Sequence, residues 1–118
     1  MKDPVWKIFT FYLLLLGLVF SSSTAFSQIS VVQYNADWND ANKVEWLKKL
    51  TDVDKVKNVC IDEDPKAQNK HSIVVVPTIV IFNNNEEVKR FQANIMMTME
   101  ATKSEVQNSI DEIVMEAF

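Results

Sequence analysis

The chain has 118 residues, 47% of them apolar and 24% charged, and a formal net charge of −4. That length suits one domain with one core. The mildly acidic balance argues against nucleic acid as the partner, because phosphate binding needs clustered Lys and Arg, and against a polybasic membrane-surface role.

Lys2 and Lys7 flank the start of the chain, ahead of an apolar run, Ile8 to Phe20, centred on Leu13 to Leu16. A membrane span needs ~20 apolar residues and a signal-peptide core ~7–15. The thirteen residues of this run therefore predict a signal peptide over residues 1–27 and a domain over residues 28–118. Ala25 and Ser27 suit a cut after Ser27; a cut after Ala25 and an uncleaved N-terminal anchor are the alternatives. The protein is expected to be exported, periplasmic or secreted, with membrane contact only through that first segment if it is retained. The one glycine is Gly17. The domain then has no Gly-rich phosphate loop, and Asn or Asp is expected wherever the backbone needs positive φ.

Gln28 to Asn35 reads as a strand through Ile29, Val31, Val32 and Tyr34. Asn39 or Asp40 caps a predicted helix carrying Val44, Leu47 and Leu50, with Trp46 beside them; Asp52 and Asp54 end it. Val56 to Asp62 is a second strand, and Pro65 opens a short helix through His71. In the apolar stretch Ile73 to Phe82, Pro77 separates a connection up to Val76 from a buried strand, Thr78 to Phe82. Asn83-Asn84-Asn85 is a turn, and Glu87 to Gln92 returns as the hairpin partner. Thr102 and Glu105 have capping-box spacing, and Val106, Ile110, Ile113, Val114 and Ala117 make one face of a last helix. The order β, α, β, short α, β, β, α predicts an α/β fold with a mixed sheet.

Three segments resemble the thioredoxin superfamily, and most of all its small exported bacterial members. Val31 to Trp38 resembles the strand entering the active-site helix, Cys60 to Pro65 a strand end with its acidic turn, and Val76-Pro77-Thr78 with Ile79 to Phe82 the cis-proline loop and its strand. The resemblance implies a thioredoxin-like fold, a central mixed sheet flanked by helices, with a cis bond before Pro77. The family motif Trp-Cys-x-x-Cys-Lys reads here Trp38-Asn39-Asp40-Ala41-Asn42-Lys43. An amide has no nucleophilic thiolate, so no catalytic residue is assigned to these positions. The family's buried Asp and neighbouring Lys fall on Gln33 and Asn58, and two groove glycines on Val75 and Ala93.

The expected function is a non-catalytic protein- or peptide-binding module using Trp38, Asn39, Asn42, Val76 and Pro77, with backbone beside the proline pairing with an extended chain. Met96 to Met99 is the other candidate partner surface, although these methionines are expected chiefly to fill the core. Cys60 is the only thiol. It is expected to be buried in the central sheet; a thiol-disulfide role through Cys60, alone or with a partner, is one alternative, and a structural subunit of an envelope assembly is another. His71 reads as a helix-end residue, and Asp62, Glu63 and Asp64 as a solvated turn without the spacing of a calcium loop. No metal site and no cofactor are expected.

Overall fold

The computed structural model describes residues 28–117. The expected export segment, 1–27, lies outside the described residues. Strands β1 (Ile29–Asn35), β2 (Lys55–Cys60), β3 (Thr78–Asn83) and β4 (Glu86–Gln92) form a mixed sheet in the order β2-β1-β3-β4. β1 is parallel to β2 and antiparallel to β3, and β3 and β4 make a hairpin.

The period of two along β1 and β3 divides the core. Ile29, Val31, Ile79 and Ile81 face one side, and Val32, Tyr34, Val80 and Phe82 the other. Both strands are buried on both faces, hence their near-continuous β-branched sequences. Helix α2 (Lys103–Glu116) covers the first face through Val106, Ile110 and Ile113. Its capping residue is Thr102, whose hydroxyl accepts from the Glu105 N–H at 3.2 Å. Among the described residues the second face is covered at one end only, by helix α1 (Pro65–Lys70) and the loop that follows, through Ala67, Ile73 and Val76. Asp64 caps α1, accepting from the Ala67 N–H at 3.1 Å. Arg90 ties β4 to the end of α1: it donates to the carbonyls of His71 and Ser72 at 2.7 and 3.1 Å and pairs with Glu87 at 2.7 Å.

The helix expected from Asn39 is not an α-helix. It is two 3-10 segments, Asp37–Asn42 and Trp46–Lys49, separated by extended backbone at Lys43. The spacing of Val44, Leu47 and Leu50 is three residues, the 3-10 period, and all three are buried. The break has a cause in β1. The Gln33 side chain donates to the Val44 carbonyl at 3.0 Å and accepts from the Val44 N–H at 2.7 Å, so neither backbone group is left for an α-helical ladder.

The hairpin turn follows the sequence: Asn84 and Asn85 have φ of 53° and 69°, the two left-handed positions of a type I′ turn. Asp52 also has positive φ, but so do Ser72 (52°) and Met97 (61°), beyond the expected Asn and Asp. The second strand begins at Lys55 and lies at the sheet edge, so Cys60 is not in the centre of the sheet.

Candidate functional site

Asn39 was expected to face a ligand, but it is 4% exposed and serves as a polar hub. Its Nδ2 lies 3.1 Å from Asn35 Oδ1, 3.3 Å from the Val76 carbonyl and 3.2 Å from the Met97 carbonyl. Its Oδ1 accepts from Asn42 Nδ2 at 2.8 Å, and its own carbonyl accepts from Asn35 Nδ2 at 3.2 Å. Asn42 is exposed but engaged with Asn39. A residue in the first 3-10 segment thus binds the end of β1, the loop before β3 and the loop after β4.

The Val76–Pro77 bond is cis. Both side chains are buried, Pro77 fully and Val76 all but 4%. The backbone there is also occupied: the Val75 carbonyl accepts from Thr78 Oγ1 at 2.6 Å, the Val76 carbonyl faces Asn39, and the Pro77 carbonyl accepts from the Ala93 N–H at 3.0 Å. Val76 thus reaches the site from beneath, and Pro77 supports it from the interior.

Trp38 is 64% exposed. With Val74, Ile95 and Met97 it borders a groove of about 180 Å³ floored by Val76 and Ile73. The methionine segment is not core filling, as the sequence suggested; only Met99 packs against the buried cluster. Asn94 turns the segment outward. Its Oδ1 accepts from the Met96 N–H at 2.9 Å, the Thr98 N–H at 3.1 Å and the Thr98 hydroxyl at 3.0 Å. This leaves Ile95 95% exposed and Met96 beside it also exposed. The two candidate partner surfaces, at Trp38 and at the methionines, are therefore one surface. Val74, 80% exposed, completes it and carried no pattern in the sequence.

No protein-family model matches the chain. No curated protein matches it. Solved structures do. Thioredoxin from Fasciola hepatica is 27% identical, covering 83% of this chain and 89% of that one, with a TM-score of 0.53. Thioredoxin from Nicotiana alata is 25% identical over 82% and 83% of the two chains, with a TM-score of 0.54. Thioredoxin 1 from Thermosipho africanus is 22% identical over 75% and 97%, with a TM-score of 0.56. This chain has the thioredoxin fold.

On this thioredoxin fold the chemistry is sparse. With one cysteine the chain has no Cys-x-x-Cys pair. Cys60 is half-buried, contrary to expectation, because it ends an edge strand. Its Sγ donates to Asp37 Oδ1 at 3.3 Å and lines a cavity of about 170 Å³ with Asn35, Asp40 and Lys43. Asp62 Oδ2 accepts from the Asp37 N–H at 3.0 Å, and Asp37, Cys60 and Asp62 each bring a ligand atom within 4.8 Å of the others. Two of the three are exposed, and the hydrogen bonds of both carboxylates tie the start of the first 3-10 segment to the end of β2.

Behind the 3-10 segments, Gln33 Nε2 donates to Asn58 Oδ1 at 2.9 Å across paired positions of β1 and β2. A neutral amide pair occupies this place, and neither side chain titrates. His71, at the end of α1, sits between the Tyr34 and Phe82 rings, 5.5 and 5.3 Å away. Burial, and then Lys70, depress its pKa below 6.5. Burial raises that of Tyr34. His71 is thus part of an aromatic cluster with Tyr34 and Phe82.

Proposed function

We propose that this protein is an exported, non-catalytic thioredoxin-fold module that binds an apolar stretch of a protein or peptide at the groove beside Trp38. The observation that carries the reading is the clustering of exposed apolar side chains: Trp38, Val74, Ile95 and Met97 all line one groove. Contiguous exposed apolar surface marks interaction sites, Trp is a frequent binding anchor, and Met adapts to varied partners. The single cysteine and the buried, fully engaged Asn39 support the absence of dithiol exchange. Export rests on the apolar run Ile8 to Phe20.

The test titrates the protein into fluorescein-labelled extended apolar peptides while following the anisotropy of the label. Trp38→Ala and Ile95→Asp each weaken binding by about tenfold or more, with far-UV circular dichroism unchanged. Binding indifferent to both substitutions overturns the reading.

Thiol-disulfide chemistry at Cys60 is the second reading, favoured by the half-buried Sγ at a cavity rim. Insulin reduction with a dithiol reductant separates the two. Activity at background excludes it; activity above background that Cys60→Ala abolishes establishes it.

A further inference from the structure

Where α1 stops short, the second sheet face opens into a cleft of about 500 Å³. The pairs Ser30↔Lys55, Val32↔Lys57 and Tyr34↔Val59 bring alternate residues of β2 and β1 to this one face. Val32, Val59 and Phe82 give the cleft its apolar lining, Lys55 and Lys57 line it from β2, and Lys70 lines it from the end of α1. The one acid in the lining is Asp64, already engaged in capping α1. Among the described residues the ion pairs are Lys43–Asp40 and Arg90–Glu87, so the three lysines have no carboxylate partner. On a chain of net charge −4, three unpaired ammonium groups around an apolar lining form a local positive field. The volume falls within the ~300–1,000 Å³ of small-ligand pockets. Helix α1 and His71 wall one end, which suits a molecule of bounded length better than a chain running through.

We propose that this cleft binds a small amphiphilic anion: a carboxylate- or sulfonate-headed molecule, its head between Lys55, Lys57 and Lys70 and its apolar body over Val32, Val59 and Phe82. The cleft shares no lining residue with the Trp38 groove, so this site stands or falls independently of the proposed function.

The experiment uses 8-anilino-1-naphthalenesulfonate as a fluorescent probe and sub-micellar dodecanoate as competitor. The expected result is saturable one-to-one binding, displaced by dodecanoate and weakened by added salt. The triple substitution of Lys55, Lys57 and Lys70 to Gln weakens it by about tenfold or more, because charge-assisted contacts are lost. Trp38→Ala leaves it unchanged. Salt dependence in the unsubstituted protein gives a reading that no folding defect in the variant can mimic. The proposal is overturned if uncharged dodecanol competes as well as dodecanoate, if the Gln variant binds normally, if salt has no effect, if Trp38→Ala removes the binding, or if binding does not saturate.

Discussion

Gln33 and Val44 clasp each other: the side-chain amide of one closes a ring with both backbone groups of the other, at 3.0 and 2.7 Å, inside the core. Gln33→Leu leaves the Val44 N–H and carbonyl buried without partners. An unsatisfied buried group costs about 1–3 kcal/mol, so a loss of about 2–5 kcal/mol is expected in urea unfolding. A loss below about 1 kcal/mol means that water or a relaxed backbone satisfies Val44 instead.

Asn39→Asp changes almost no volume but turns the Nδ2 donor into an acceptor facing the Val76 and Met97 carbonyls. Destabilisation of about 2 kcal/mol or more is expected at pH 7: one carboxylate oxygen keeps the Asn42 donor, but the one replacing Nδ2 would face the Asn35, Val76 and Met97 oxygens with no donor. The variant regains stability toward pH 4, where its carboxyl protonates and can donate again. Denaturant midpoints at the two pH values test this; a flat response contradicts the assigned hydrogen bonds.

His71 gives the unsubstituted protein a pH response. Its native pKa is depressed, burial being the larger cause and Lys70 the next, with Arg90 acting in the same direction and Glu87 opposing. The unfolded chain therefore takes up the proton more readily than the native one. This contribution to stability is present above pH 6.5 and is lost as pH falls through the native value. His71→Gln should flatten the change in urea midpoint between about pH 7.5 and 5.5; equal slopes in both proteins exclude the histidine as its source.

At the hairpin, Asn85→Gly removes the cost of a side chain at φ 69° without touching Asn84, whose Oδ1 accepts from the Gln28 N–H at 3.0 Å. A gain of about 0.5 kcal/mol is expected in thermal or urea unfolding. Asn84→Gly loses that contact and should not stabilise.

The Trp38 surface should be dispensable for folding. Ile95→Ser, at a residue 95% exposed, is expected to shift stability by no more than about 0.5 kcal/mol. A larger loss in the urea midpoint means that Ile95 packs somewhere in solution.

The parts legible in the sequence are those fixed by local chemistry. Thr102 announced its cap, Asn83 to Asn85 their turn, and the two-faced strands their burial. What escaped depends on contacts between distant residues. The 3-10 segments follow from Gln33 reaching eleven positions ahead to Val44, although the three-residue spacing of Val44, Leu47 and Leu50 carried the hint. The partial exposure of Cys60 follows from strand order, which chain order does not state: the second strand in sequence is an edge strand in space. The methionines of Met96 to Met99 read chiefly as core filling because Met fills gaps, but the Asn94 side chain holds the backbone from Met96 to Thr98 in a tight turn that leaves Met96 and Met97 exposed. Asn39 and Asn42 were legible as residues without thiols; that Asn39 is an interior connector was not, because its partners lie up to 58 positions away.

That connector bears on how the molecule opens. The loops around Val76 and Met97 are both held by the one side-chain amide of Asn39, through separate hydrogen bonds, so a displacement of Asn39 releases both at once. Transient opening at this end of the sheet should be a concerted event. The amide protons of Met97 and Ala93, bonded to Asn94 and Pro77, would then exchange with solvent deuterium at matching rates set by one shared free energy, and not as two independently fraying loops.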